Sequence, residues 1–301
     1  MPENSSTKMP EIEMRSVVVA TDFLESSRLA LDYGVAFARH FGAKLTLVHA
    51  FELSSEAREV ELRSKGPSIS RAHALSRLEA LAAGIRRLGM RVDIDLREEE
   101  VCSAVLTSAS ENQADLLVLG SHGIYRGLEH LLLGSNAEKL LLSASCPTLT
   151  VGNHVMAGID LDLTFSRIIL VSDLSPASIS AAEYASVLGK TLEVEVQLLQ
   201  IKPEDDADPL QINSDVERYC SELNRRSMIV NREWCDPAHH LQRMTSAGEV
   251  IGQAETCTDG LFVLGVHKQS RWMRHLHASF AFELVSKSGC PVLSIHVKEG
   301  E

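Results

Sequence analysis

The segment Leu116-Leu-Val-Leu-Gly-Ser-His-Gly123, completed by Gly134-Ser-Asn136, decides the fold of this chain. Its four apolar residues predict a strand that is buried on both faces, and the glycines that follow predict a loop leading into a helix. The backbone N–H groups of such a loop and of a helix N-terminus can face an anion together, because no Cβ keeps the anion away. We therefore expect the phosphate-binding loop of a nucleotide pocket here.

Strands and helices are predicted to alternate on both sides of this segment. In the first predicted helix, apolar residues recur every three or four positions from Leu29 to Phe41, and Gly42 is placed to end it. Alternating strands and helices imply parallel pairing with right-handed crossovers. The predicted strands cover residues 16–21, 45–50, 91–96, 116–119 and 148–151, and the later helices cover residues 71–88, 101–110 and 135–144.

The second half of the chain repeats the first in the same order. The segment from Arg167 to Asp173 repeats that from Ser16 to Asp22 at an offset of 151 residues. Two further repeats are Leu261 to Gly265 for Leu116 to Gly120, and Ser288 to Ser294 for Ala144 to Thr150. Several repeats in the same order are hard to produce by chance, so they indicate a tandem duplication. We predict a disordered leader (residues 1–13), a first domain (14–153), a linker (154–165) and a second domain (166–298).

Taken together, these motifs resemble those of the universal stress protein family over nearly all of residues 14–298. The resemblance implies two flavodoxin-like α/β domains, each a five-stranded parallel sheet in the order 3-2-1-4-5 with helices on both faces. A ligand would then lie beyond the carboxyl ends of strands 1 and 4, where the strand order reverses. The matching residues are Ala20-Thr-Asp-Phe23, Val48-His49, Gly120-Ser-His-Gly123, Gly134-Ser135 and Cys146-Pro147.

The resemblance also implies the residues of the site. Members that bind ATP hold its phosphates with a G-x-x-G pattern, nine further residues and G-[ST]. By analogy Asp22 and the backbone near Val48 would contact adenine and ribose, while His122 would either donate to a phosphate or position the loop. The remaining predicted phosphate contacts are Gly120, Ser121, Gly123, Gly134, Ser135 and Asn136.

Two departures from the family pattern bear on this site. Ten residues, not nine, separate Gly123 from Gly134, and we place the extra one at the loop tip, within residues 124–126. In the second repeat Lys268 replaces the second glycine, and Ala278-Ser279 replaces the final Gly-Ser. We therefore predict one nucleotide site per chain, in the first domain.

Composition and charge exclude several other classes of function. The net charge of −12 argues against a nucleic-acid binder, which needs a basic surface. No apolar run approaches the roughly 20 residues that cross a membrane, and the polar N-terminus does not resemble a secretory signal. The six cysteines show no metal-ligand spacing, so we expect small buried side chains in a cytoplasmic protein.

The resulting hypothesis is a cytoplasmic stress-response protein that binds ATP, ADP or AMP and acts through an unidentified protein partner. The alternatives are an interaction scaffold without a ligand, and a weak ATPase that would need Mg²⁺, for which Asp22 is the one well-placed carboxylate. We expect the last strands of the two domains, at Leu149 to Val151 and Leu293 to Val297, to pair within one chain, with a homodimer as a further assembly. The stress, the partner and the nucleotide stay open.

Overall fold

The structure is a computed structural model, and it describes residues 12–51, 69–121, 135–155, 162–201, 214, 217–219, 221–222, 246–266 and 278–296. Strands and helices alternate through most of these residues. The strands are β1 (Ser16–Ala20), β2 (Lys44–Ala50), β3 (Val92–Arg97), β4 (Leu116–Gly120), β5 (Thr148–Val151), β6 (Arg167–Ser172), β7 (Glu195–Gln200), β8 (Gly260–Val266) and β9 (Val292–His296). The helices are α1 (Glu25–Phe41), α2 (Ile69–Arg86), α3 (Val101–Glu111), α4 (Ser135–Ser143), α5 (Pro176–Leu192), α6 (Ala247–Thr256) and α7 (Ala278–Lys287).

The strands of the described residues form a single sheet in the order β3-β2-β1-β4-β5-β9-β8-β6-β7. The first five strands are parallel and follow the predicted order 3-2-1-4-5. In the second half, β6 lies between β7 and β8, and β9 lies beyond β8, so these four strands repeat the positions of β1, β2, β4 and β5. The segment that would supply a fifth strand there lies outside the described residues. The α/β fold predicted from the sequence is confirmed.

The two halves meet through the antiparallel pairing of β5 with β9. Leu149 lies opposite Leu293, Thr148 opposite Ser294 and Thr150 opposite Val292. The predicted pairing of the last strands within one chain is therefore confirmed. Because every other pairing is parallel, the strands of the two halves run in opposite directions. The carboxyl ends of the strands in the first half consequently point in the opposite direction to those in the second half.

One hydrophobic core crosses the boundary between the halves. Leu149 and Leu293 are completely buried in it, and Phe165 packs its ring 6.3 Å from those of Tyr33 and Phe37 on α1. The opposite face of the sheet carries two smaller cores: one lies within the first half, and the other lies in the second half and also takes in Ala137 and Leu141 of α4. Burying a large apolar side chain stabilises a protein by about 1.5–3 kcal/mol, so the shared core contributes strongly to holding the halves together.

Equivalent tyrosines on α1 and α5 each face the opposite half of the molecule. Burial raises the pKa of Tyr33 to about 12, and Cys290 of the second half adds to the shift. Burial also raises the pKa of Tyr184, to which Asp115 and Cys146 of the first half contribute. Tyr33 and Tyr184 are separated by the repeat offset of 151 residues. The halves therefore contact each other in a nearly symmetric way.

Local signals in the sequence account for the ends of several helices. Gly42 ends α1 in the left-handed conformation, with φ of 66°, as its position predicted. Glu100 precedes α3, and its carboxylate accepts a hydrogen bond from the Ser103 N–H at 2.9 Å. This bond is the first cause of the lowered pKa of Glu100.

Candidate functional site

The predicted site begins where β1 and β4 end side by side. In the register of these strands Val19 lies opposite Val118. Asp22 and Ser121 each follow three residues later, so the chain leaves both strands at the same level of the sheet. This is the position where the strand order reverses, and open α/β sheets bind ligands there. The structure thus brings together two of the residues that the sequence predicted.

A tight turn fixes the position of Asp22 at the end of β1. The Asp22 carboxylate accepts a hydrogen bond from the Leu24 N–H at 2.9 Å, and the Thr21 hydroxyl accepts one from the Phe23 N–H at 3.0 Å. Phe23 has φ of 65°, a left-handed conformation that is costly for a bulky residue. The turn therefore holds the carboxylate at the start of α1.

The same turn occurs at the end of β6, in the second half. Leu174 has φ of 64°, the Ser172 hydroxyl accepts from its N–H at 3.2 Å, and the Asp173 carboxylate accepts from the Ser175 N–H at 3.0 Å. Burial raises the pKa of Asp173, although these bonds oppose the shift. Because the second repeat has lost the glycine pattern, the turn itself belongs to the fold and does not indicate a ligand.

A cluster of rings and one cation lies beside Asp22 in the first half. The rings of Phe23 and His49 are 4.3 Å apart, and the Arg77 guanidinium lies 4.2 Å from the centre of the Phe23 ring. Arg77 also donates a hydrogen bond to the Phe23 carbonyl at 3.2 Å. Phe51 stacks beyond His49 at 6.5 Å. The cluster offers flat, partly exposed surface at the end where the base of a nucleotide was predicted.

His49 holds a defined hydrogen bond in this cluster. Its Nδ1 lies 2.7 Å from the Thr21 carbonyl, and because a carbonyl can only accept, Nδ1 carries the proton. Burial lowers the pKa of His49, and Arg77 lowers it further, while the Thr21 carbonyl and Asp22 raise it. In the neutral ring Nε2 is an acceptor. In the second half, Gln200 takes this position and donates to the Ser172 carbonyl at 3.4 Å.

Gly120 is required by packing, a reason different from the predicted contact with phosphate. A Cβ at Gly120 would lie 2.8 Å from the Ser26 carbonyl carbon and 2.9 Å from the Ser27 nitrogen, both in the first turn of α1. The equivalent Gly265 is pressed even closer, 2.1 Å from the Ala177 carbonyl oxygen. The strand-end glycine therefore allows the first helix of each half to approach the sheet.

Some backbone groups of the predicted site already have partners. The N–H of Ser121, which is completely buried, donates to the Val151 carbonyl at 2.9 Å, and the Val48 carbonyl accepts from the Thr21 N–H at 2.9 Å. Ser135 and Asn136 are exposed in the first turn of α4. The other predicted phosphate contacts, His122, Gly123 and Gly134, lie outside the described residues.

The cluster of Phe23, His49 and Arg77 was not predicted as part of a site. Phe23 and His49 stood in the family motif, but Arg77 lies 54 residues beyond Phe23 and carried no signal of its own. Over the described ranges, no group of three or more His, Cys, Asp or Glu residues could hold a metal ion. No helix of the described part of the chain is long and apolar enough to span a membrane.

Comparison with known proteins gives consistent matches over about half of the chain. The family model described as "Universal stress protein family" matches residues 13–152. A universal stress protein of Thermus aquaticus is 31% identical over 143 residues, which are 46% of this chain and 98% of that protein. Universal stress protein MJ0531 of Methanocaldococcus jannaschii is 27% identical over 153 residues, covering 49% of this chain and 88% of that protein.

One solved structure extends the likeness of fold to both halves. The crystal structure of a universal stress protein from Archaeoglobus fulgidus superposes with a TM-score of 0.64. The match covers 95% of this chain and 99% of that one at 15% sequence identity. At this identity the likeness concerns the fold alone.

Proposed function

This chain belongs to the universal stress protein family, and on that basis we propose that it binds an adenine nucleotide at the carboxyl ends of β1 and β4. Nucleotide binding would regulate its contact with a protein partner in a stress response. The observation that carries the proposal is the position of Asp22 and Ser121, which follow neighbouring strand ends at the reversal point of the sheet. The domain boundaries predicted from the sequence, at residues 14–153 and 166–298, are part of this proposal.

In this proposal, residues of the first half contact the successive parts of a nucleotide. The rings of Phe23 and His49 offer a surface for the base, and Nε2 of neutral His49 is an acceptor for an amino group. The Asp22 carboxylate accepts one hydrogen bond from Leu24 and has capacity for the donated hydrogen bonds of ribose hydroxyls. The phosphates would lie towards α4, since the N-terminus of a helix favours negative charge.

We assign one site to each chain because the halves differ at the base end. In the second half, Leu174 replaces the aromatic ring of Phe23, and Gln200, whose amide donates to Ser172, replaces His49. The changed glycine pattern after β8 also makes a phosphate contact less favourable there. The second half would then serve as a fixed partner for the first.

A ligand-free interaction scaffold is the second candidate function. The observation that favours it is the repeated strand-end architecture: both the turn at Asp22 and the glycine at position 120 recur in the half that lacks the full motif. Packing alone accounts for these two features. A weak ATPase is the third candidate function, and a direct assay of ATP hydrolysis tests it.

Titration of the full chain with ATP, ADP and AMP tests the proposal. Asp22→Ala should weaken the affinity by about tenfold or more, the usual value of a hydrogen bond to a charged group. Asp173→Ala is the matched control, because it removes the equivalent turn bond in the second half and should leave the affinity unchanged. Failure of both ATP and AMP to bind at millimolar concentration would favour the scaffold. Steady-state turnover that Asp22→Ala abolishes would favour the ATPase.

A further inference from the structure

Two cysteines of the second half lie in direct contact. The Sγ atoms of Cys257 and Cys290 are 3.2 Å apart, although 33 residues separate them in the sequence. Cys257 follows the last residue of α6, and Cys290 lies in the loop before β9. A disulfide bond is about 2.05 Å long, so the sulfurs need to approach by roughly 1.2 Å. Small side-chain rotations can provide such a movement.

The repeat fold does not by itself require this pair. The position equivalent to Cys257 in the first half is Asn112, which likewise follows the last residue of its helix, α3. Cys146, the counterpart of Cys290, therefore has no cysteine at the matching place. Both Cys102 and Cys146 are buried as free thiols, as the sequence suggested for most cysteines. The dithiol is thus an individual feature of the second half.

The two sulfurs have different surroundings. Cys257 is 6% exposed and Cys290 is 1% exposed, so a small oxidant reaches Cys257 first. The side chain of Arg167 lies near Cys257, and this neighbour is the first cause of the raised pKa of Arg167. The Oδ1 atom of Asp259 lies 3.8 Å from the Cys257 sulfur and 3.4 Å from the Arg167 guanidinium. Burial, reinforced by Cys257, raises the pKa of Cys290 to about 12.

We propose that Cys257 and Cys290 are a redox site that forms a reversible disulfide when a peroxide oxidises the protein. The Cys257 sulfur takes an oxygen atom from hydrogen peroxide, which releases one water and leaves a sulfenic acid. The Cys290 sulfur then attacks the sulfenic sulfur, the S–S bond forms, and the hydroxyl leaves as a second water with the Cys290 proton. In total two thiols lose two electrons and two protons, and one peroxide becomes two waters.

The disulfide would link two elements of the second half, one of which leads into a central strand of the sheet. It would link the end of α6 to the loop before β9, the strand that pairs with β5 across the two halves. The closed segment contains β8 and α7. Closing a loop of this length restricts the unfolded chain and should raise the thermal midpoint by on the order of 5 to 10 °C. Oxidation would therefore strengthen the half that carries the weaker nucleotide motif.

The decisive experiment treats the full chain with hydrogen peroxide, blocks the remaining thiols and maps the peptides by mass spectrometry. We expect a linked peptide pair containing Cys257 and Cys290, lighter by two hydrogens and restored to free thiols by dithiothreitol. The oxidised protein should melt several degrees higher than the reduced protein, and Cys257→Ser and Cys290→Ser should each abolish both the link and the shift. Cys146→Ser, which changes the counterpart of Cys290, should keep both.

Other outcomes would overturn the proposal. Free thiols at Cys257 and Cys290 after peroxide has oxidised other cysteines would show that the pair is an inert part of the core. A link that joins either residue to another cysteine would show that the contact does not determine the chemistry. If the disulfide forms but the oxidised protein has the same thermal midpoint as the reduced protein, the disulfide does not stabilise the second half as proposed.

Discussion

Replacing Gly120 with alanine should destabilise the protein, because the new methyl group has no room. The Cβ would lie 2.8 to 3.0 Å from three backbone atoms of Ser26 and Ser27. Backbone atoms cannot rotate away as a side chain can, so the first turn of α1 has to move by about half an ångström to restore ordinary contact. Overpacking of this kind costs about 1–3 kcal/mol. We expect the free energy of unfolding to fall by about 2 kcal/mol.

Urea unfolding followed by circular dichroism measures this change, with Gly84→Ala as the matched control. Gly84 lies inside α2, and a Cβ there would have no atom within 4 Å. Alanine in an open helical position should stabilise the protein by about 0.5–1 kcal/mol. The same methyl group is thus predicted to lower the free energy of unfolding at Gly120 and to raise it at Gly84. This difference distinguishes a local packing clash from the general effect of replacing glycine with alanine.

The result that refutes this reasoning is a Gly120→Ala protein that unfolds at the wild-type urea concentration. Loss of nucleotide affinity without loss of stability would show that this glycine makes room for a ligand and not for α1. A loss of both is the expected outcome, since moving the first turn of α1 also displaces Asp22, which accepts a hydrogen bond from the Leu24 N–H directly before that turn.

Two further predictions concern protonation and the shared core. Burial lowers the pKa of His49 in the folded protein, so the unfolded chain takes up the proton first and stability is lost as the pH falls below about 6.5. His49→Gln, which introduces the residue found at the equivalent position 200, should reduce this loss of stability. Urea midpoints of the wild type and the variant at pH 7.5 and 5.5 measure the loss. An equal loss in the two proteins would contradict the assignment of the effect to His49. Leu293→Ala should cost about 2–5 kcal/mol and lower a single calorimetric transition of the whole chain, because Leu293 lies in the core that joins the halves. Two separate transitions would show that the halves unfold independently.

The sequence was sufficient to predict the order of the elements and most of their limits. Buried parallel strands are short apolar runs, and second copies of the first, fourth and fifth runs indicated that the pattern was not accidental. For this reason β5 is observed where it was predicted, and β4 differs from its predicted range only by including Gly120. The pairing of β5 with β9 was also predictable, since a strand at the edge of a sheet needs a partner.

Contacts between distant residues could not be predicted in the same way. Arg77, on α2, contacts Phe23 in the turn before α1, and Cys257 contacts Cys290, which lies 33 residues further along the chain. Neither contact produces a short, recognisable spacing in the sequence. The reason for Gly120 was also hidden, because a glycine that admits a helix and a glycine that admits a phosphate look alike in one sequence. In both cases the missing information is the path of the backbone through space.

Because β5 and β9 belong to one polypeptide, their pairing across the two halves does not depend on protein concentration. A dimer of two identical chains dissociates on dilution, whereas a covalent link keeps the two partners at a high effective concentration. The link also removes a constraint of symmetry, since a substitution in a homodimer appears on both sides of the interface. Here each half can change alone: the second half has Cys257 where the first half has Asn112. A tandem duplication thus allows one half to change without the same change in the other.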